Sequence, residues 1–182
     1  MSAPRLLSLV GLGAALVAGS PVAAAAQSCN APVPNGTCAV TTSASMTAGT
    51  VMQLTLSSTS TLLTATSGAS YDLGYAADNG PTATVKSNRP WKLQVSASTA
   101  VWSAASTEPG VAARGAKPAG DLTWSTAAGG PFTALTMAAT DAALGNATGG
   151  TGVGFFYRTL YNWALDTPGS YSLTVVLTLT NQ

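Results

Sequence analysis

Two cysteines, Cys29 and Cys38, are spaced so that they could form a disulfide bond. They enclose the segment CNAPVPNGTC, in which two prolines and Asn35-Gly36 favour a tight reversal of the chain. In an exported protein such a pair is expected to form an intramolecular disulfide. A redox role is disfavoured because the CxxC spacing is missing. We therefore predict a structural disulfide that fixes the start of the mature chain.

Catalytic groups are scarce in this sequence. It contains no histidine, which removes the commonest general base and the commonest transition-metal ligand. It also lacks a GxSxG elbow and a P-loop. Six acidic residues remain, which leaves open an aspartate-only hydrolase, or a weak calcium site at Asp72, Asp78 and Asn79. We predict no enzymatic activity, no metal and no cofactor.

Aromatic side chains are the other groups that can bind a ligand. Trp91 and Leu93 fall on the apolar face of an alternating run, so we expect both to be structural. Trp124, Tyr161 and Trp163 are the candidate contacts for a ligand or partner. Exposed tryptophan and tyrosine rings stack on sugars and anchor protein partners.

Alternation of apolar and polar residues, with a period of two, predicts the elements that carry these side chains. It is clearest in Trp91–Ser98 and Tyr171–Thr180. Weaker runs are Cys38–Ala44, Thr50–Ser57, Thr61–Ala65, Thr82–Ser87, Leu122–Thr126, Phe132–Thr136 and Val153–Leu160. Turn residues separate the runs, and Ala104–Gly120 reads as irregular. The fold class predicted is all-β, an antiparallel Ig-like β-sandwich of about nine strands.

The segment DTPGSY, residues 166–171, predicts a specific contact. In Ig-like sandwiches a tyrosine shortly after an Asp/Gly turn folds its hydroxyl back onto upstream backbone. We expect Tyr171 to do so from the start of the last strand. In immunoglobulins another strand follows the tyrosine strand, so we expect a different topology here.

The first 26 residues have the three parts of a signal peptide: Arg5, the apolar run Leu6–Val17 and the small residues Ala23–Ala26. The apolar run is shorter than the roughly twenty residues that span a bilayer. We predict cleavage after Ala26, a single mature domain at 27–182, no membrane span, and a secreted or cell-surface location. Acylation of Cys29 is disfavoured, since no leucine stands three residues before it.

The amino-acid composition limits the classes of partner that the protein could bind. Charged residues are 7% of the chain and nearly balance, which leaves no electrostatic footprint for nucleic acid or anionic membrane. Apolar residues are 46%, enough for a folded core, and serine and threonine supply most of the polarity. Threonine and valine suit a pleated surface, which again favours strands.

The run Arg89-Pro90-Trp91-Lys92-Leu93 resembles the first motif of WxL-type bacterial surface domains. Leu177-Thr178-Leu179 lies where that family has its second motif, without the tryptophan. The DTPGSY ending, followed by alternating threonines and aliphatic residues, resembles secreted pilin-like and spore-coat-U-like sandwiches.

Together with the export signal, the hydroxyl-rich strands and the missing catalytic groups, these resemblances predict a non-catalytic structural or adhesive surface protein. Its partners would be further copies of itself, other surface proteins or cell-envelope polysaccharide, and exposed strand edges would supply the contact. Strand exchange needs a detachable donor, for which the disulfide-tethered segment after Ala26 is the candidate. The alternative is a carbohydrate-binding module that uses its exposed aromatic residues.

Overall fold

The computed structural model describes residues 28–29, 36–63 and 67–182. The predicted signal peptide lies outside these residues. The chain divides into two units, Met1–Thr47 and Ala48–Gln182. In the first unit Cys29 and Cys38 form the predicted disulfide, with Cα atoms 5.7 Å apart. Residues 36–47 are exposed and have no regular secondary structure.

The described part of the second unit contains ten strands, one α-helix and one 3-10 helix. The strands are β1 (Met52–Leu56), β2 (Tyr75–Ser87), β3 (Trp91–Ala97), β4 (Ser103–Ser106), β5 (Leu122–Ser125), β6 (Thr133–Ala134), β7 (Thr140–Gly145), β8 (Thr148–Leu160), β9 (Gly169–Ser172) and β10 (Val175–Asn181). Helix α1 spans Gly68–Leu73, and the 3-10 helix spans Ala119–Asp121.

Every strand pairing in this unit is antiparallel. The larger sheets have the orders β1-β2-β8-β5-β6 and β10-β3-β7, and β4 pairs with β9 in a small third sheet. Side chains from both larger sheets form one hydrophobic core. The predicted all-β, antiparallel, sandwich-like fold is therefore confirmed.

The core is best formed at the central strands. Burial alternates along the whole of β3, and Trp91 and Leu93 are buried there. The Trp91 ring lies against Gly145, its partner on β7, where an added Cβ would come within 2.5 Å of the ring. Its Nε1 donates to Asn146 O at 2.8 Å. Glycine at position 145 is thus required by close approach rather than by a turn.

Two stretches rich in turn-forming residues, which the sequence places between strands, belong to long strands instead. The glycine-rich residues 148–152 form the start of β8, because their backbone pairs with β2 from Thr84 to Ser87. Residues 78–81 lie within β2, where the register shifts between Asn79 and Thr82. Gly80 is needed at this irregularity because the Tyr157 ring lies against it and leaves no room for a Cβ.

Other elements also differ from the predictions. There is no strand at Cys38–Ala44 or at Thr61–Leu63, and residues 64–65 lie outside the described residues. Strands β4 and β7 and helix α1 were not predicted, because their sequences show little alternation. The predicted strand Tyr171–Thr180 is divided at Leu173–Thr174, since β9 pairs with β4 whereas β10 pairs with β3.

Candidate functional site

One side of the sandwich is incompletely covered. There β1 is the edge of the five-stranded sheet, and β10 is the edge of the three-stranded sheet. Leu56 on β1 is exposed, and Val175 and Leu177 on β10 are only half-buried. On the adjacent strands, Val85 of β2 and Val95 of β3 are fully buried. The hydrophobic core is therefore only partly buried between these two edge strands. We call the space between β1 and β10 the β1–β10 groove.

The groove contains a cavity of about 850 Å³, within the range of ligand-binding clefts. Its apolar wall is formed by Leu56, Leu63, Leu122, Leu173, Val175 and Leu177. The hydroxyl-rich segment 58–61 also lines it, as does Tyr157. Burial raises the pKa of Tyr157 to about 12, so its hydroxyl stays neutral at physiological pH.

Among the described residues, the backbone of β10 has no strand partner along the groove. In the antiparallel pair with β3, Ser98 N donates to Thr174 O at 3.0 Å. Hydrogen-bonded positions alternate along such a pair, so the even-numbered residues of β10 bond to β3. The remaining N–H and C=O groups point to the open edge, and they belong to Val175, Leu177 and Leu179. The residues whose side chains line or adjoin the groove therefore also offer free backbone groups.

The edge of β1 has the same property. Asn88 N donates to Val51 O, so the odd-numbered residues of this strand bond to β2. The outward backbone groups belong to Met52, Leu54 and Leu56, the apolar side of the strand. Unpaired edges of this kind are templates for an added strand.

Four charged side chains form a cluster beside the groove, and two of them, Lys117 and Asp166, line its cavity. Lys117 Nζ lies 2.9 Å from Asp166 Oδ1 and 3.3 Å from Asp121 Oδ2. Arg114 Nη1 lies 2.9 Å from Asp166 Oδ1 and 3.1 Å from Asp121 Oδ2. The side chains of Lys117 and Asp166 are only 3% and 2% exposed. We call these four residues the charge cluster; two cations balance two anions.

Backbone groups complete the bonding of the charge cluster. Lys117 Nζ donates to Leu160 O at 2.7 Å, and Asn162 N donates to Asp166 Oδ2 at 2.8 Å. Burial opposes ionisation of Asp166, but hydrogen bonds from Lys117 and Arg114 outweigh it and hold the pKa of that carboxyl below its usual range. The cluster thus holds the segment before β5 against the turn that precedes β9.

The positions of the carboxylates can be compared with those that an aspartate-only hydrolase, left open by the sequence, would need. Two of the six acidic residues, Asp121 and Asp166, do come together, bridged by Lys117 and Arg114. A glycosidase needs a general acid whose pKa is raised, whereas the pKa of Asp166 is lowered. The geometry is therefore that of an ion-pair network.

Tyr171 makes the contact that its sequence position predicts. Its hydroxyl donates to Thr167 O at 2.7 Å and accepts a hydrogen bond from Arg114 N at 3.0 Å. The first bond closes the turn before β9. The second fixes the backbone of Arg114. The stretch 104–120, predicted to be irregular, is so only in its middle, because β4 ends at Ser106 and the 3-10 helix begins at Ala119.

The three aromatic candidates have different environments. Trp124 is 6% exposed and packs beside Phe155, so it is part of the core. Tyr161 is half-buried, and its hydroxyl donates to Leu63 O at 2.6 Å. Trp163 is 65% exposed. Of the three, Trp163 has the most accessible ring.

Trp163 is nevertheless held in place. Its ring stacks on Tyr71 of α1, with centroids 4.6 Å apart and planes at 30°. Its Nε1 donates to Asp72 Oδ1 at 3.0 Å. The indole is therefore oriented by both its face and its edge.

The calcium candidates Asp72, Asp78 and Asn79 are engaged elsewhere. Asp72 accepts from Trp163, and Asp78 Oδ1 accepts from Asn79 N at 2.8 Å. Among the described residues there is no group of three or more His, Cys, Asp or Glu side chains placed to hold a metal ion.

Sequence reasoning did not identify the charge cluster or Tyr71. The spacing of Lys117 and Asp121, four residues apart, was an available signal for an ion pair. Their proximity to Asp166 depends on the fold.

Comparison with known proteins assigns no family: neither a protein-family model nor a curated protein matches the chain. Across the residues that the structure describes, no helix combines the length and the apolar character needed to cross a membrane.

We predict that Tyr171→Phe lowers the free energy of unfolding by about 1 to 3 kcal/mol, because two partly buried hydrogen bonds are lost. Urea denaturation followed by tryptophan fluorescence measures this. Tyr75→Phe is the matched control, since in the described structure the Tyr75 ring contacts Arg158 but its hydroxyl has no hydrogen bond. Equal losses in both variants would contradict the assigned role of the Tyr171 hydroxyl.

Proposed function

We propose that this chain is an exported, non-catalytic structural or adhesive protein that assembles by adding a β-strand at the β1–β10 groove. The observation that carries the proposal is the coincidence of two deficits at this side of the sandwich. The apolar residues are incompletely buried, and the backbone groups of the same residues pair with no other strand in the described part of the chain.

An added strand would correct both deficits at once. Its backbone would bond to the outward N–H and C=O groups of β10, and its alternate side chains would enter the cavity. Completing the burial of a half-exposed leucine or valine contributes a part of the roughly 1.5 to 3 kcal/mol that full burial gives. Several such residues line the groove, so their burial would contribute free energy that opposes the entropy lost on association.

A segment of a second copy of the chain has the properties of such a strand. In residues 38–47 the odd-numbered positions carry only alanine, serine and threonine. The even-numbered positions include the two largest apolar side chains, Val40 and Met46. Val40 is 54% exposed and Met46 is 90% exposed. The sequence predicts a strand at Cys38–Ala44, but the structure of the single chain has none there. A strand whose partner is another molecule would give this combination.

The expected location supports the same proposal. Disulfides such as Cys29–Cys38 persist in oxidising compartments, and residues 1–26 have the pattern of a secretory signal. The disulfide lies at the start of the proposed donor segment. It would restrict the conformations of that segment before it binds.

We predict that Leu177→Lys abolishes self-association of the mature chain, because it places a charge in the groove. Sedimentation velocity across a concentration series measures the association. Val176→Lys is the matched control: it is the next residue on the same strand, but its side chain is on the exposed face. Val176→Lys should associate like the wild type.

The donor segment is tested by complementation. Val40→Asp should also prevent self-association, but it leaves the groove intact, whereas Leu177→Lys leaves the donor intact. An equimolar mixture of the two variants should therefore form heterodimers and nothing larger. A wild-type chain that stays monomeric at high concentration, or a Leu177→Lys variant that still assembles, would contradict the proposal.

A second candidate function, carbohydrate binding, is favoured by the geometry of Trp163. An exposed indole that is already fixed by Tyr71 and Asp72 can stack on a sugar ring with little further loss of conformational entropy. Envelope polysaccharide is the ligand class that an adhesive surface protein would meet.

We predict that cell-envelope polysaccharide changes the tryptophan fluorescence of the wild type and that Trp163→Ala loses the response. Trp102→Phe is the control: Trp102 packs against the core, and its Nε1 donates to Pro118 O at 3.1 Å. It should keep the response. A flat titration of the wild type would remove this second function and leave the strand-addition proposal untouched.

A further inference from the structure

We propose that Lys117 and Asp166 condense to form an intramolecular isopeptide bond, with Asp121 as the catalytic base. The inference does not depend on assembly at the groove. It rests on a buried amine, a buried carboxyl group and a second carboxylate that are already in contact.

The reacting groups are positioned and shielded from water. Lys117 Nζ lies 2.9 Å from Asp166 Oδ1, and both side chains are nearly completely buried. Asp121 Oδ2 lies 3.3 Å from the same nitrogen. Contact distances of this kind remove most of the entropic cost of bringing two reactants together. Nζ also donates to Leu160 O at 2.7 Å and lies 5.6 Å from the centre of the Tyr161 ring.

The carboxyl group of Asp166 is also placed for attack. Arg114 Nη1 donates to its Oδ1 at 2.9 Å, and Asn162 N donates to its Oδ2 at 2.8 Å. These donors would stabilise the negative charge that develops on the oxygens when a nucleophile adds to Cγ. Fixed donors in a buried site are the usual way in which proteins stabilise such an oxyanion.

The reaction balances without any co-reactant. The ammonium of Lys117 gives a proton to Asp121, and the freed Nζ forms a bond to Cγ of Asp166. One Cγ–O bond then breaks, and that oxygen leaves as water with two of the three ammonium protons, one returned by Asp121. The product is a neutral amide that keeps the third proton. Nothing is oxidised or reduced, and the net charge is unchanged.

The surroundings favour the product over the ion pair. Burying a charged pair carries a large desolvation penalty, and the amide removes both charges. Arg114 and Asp121 would remain paired at 3.1 Å, so no charge is left unbalanced. Leu160 O, now 2.7 Å from Nζ, would accept the amide N–H. Lys117 and Asp166 line the cavity of the groove, which gives the released water a way out.

The bond would join two segments that are 49 residues apart in sequence. It would tie the stretch before β5 covalently to the turn before β9. Such a cross-link would keep the C-terminal strands attached to the rest of the sandwich.

The test is the intact mass of the purified mature chain, denatured and with its disulfide reduced, after its N-terminus has been identified. The wild type is expected to be lighter than its sequence by one water. Asp121→Asn and Lys117→Arg should have their full sequence masses, with circular dichroism to verify that they fold. Asp166→Asn should lose ammonia instead of water and give the same cross-linked product as the wild type.

Peptide mapping then locates the missing water. A branched peptide that joins Lys117 to residue 166 supports the proposal. A wild type at its full sequence mass, or a water lost within a single unbranched peptide as in a succinimide, would overturn it. Because the mass and the peptide map of the wild type together decide the question, the result does not depend on the stability of any variant.

Discussion

The central constraint in this structure is that β10 pairs with a neighbouring strand on one side only, and the features of the groove follow from it. The strand bonds to β3 on one side only, and its apolar face looks toward β1 across a space that no described strand fills. The inward-facing side chains of the central strands, such as Val85, Leu93 and Phe155, are fully buried, so the sandwich folds around them. The unpaired edges remain as a region where both hydrophobic burial and backbone hydrogen bonding are incomplete.

The charge cluster and Tyr171 fix the chain just before that edge. Tyr171 closes the turn that leads into β9, and the chain then passes from the sheet with β4 to the sheet with β3. Asp166, at the start of the turn, is held by cations from the segment before β5. The position of β10 therefore depends on polar contacts made at the opposite end of a short connection. A covalent bond at Lys117 would make that dependence permanent.

Much of the fold could be predicted from sequence, because strands such as β3 bury one face and so leave a strict alternation. Tyr171 was predictable because its turn chemistry is local. The division of the last strand was not, since it depends on which distant strand each half meets. The charge cluster, and the choice of Trp163 rather than Trp124 as the exposed ring, also required the tertiary structure. Residues 38–44 alternate in sequence but form no strand in the described structure, an outcome that local sequence alone does not predict.

The most direct test of strand addition is residue-resolved amide hydrogen exchange of β10, at a concentration where the chain is monomeric and at one where it assembles. In the monomer the amides of Val175, Leu177 and Leu179 should exchange rapidly, and those of Val176 and Thr178, bonded to β3, slowly. On assembly the three outward amides should become protected. Assembly that leaves those amides unprotected would contradict the account, because the contact would then lie elsewhere.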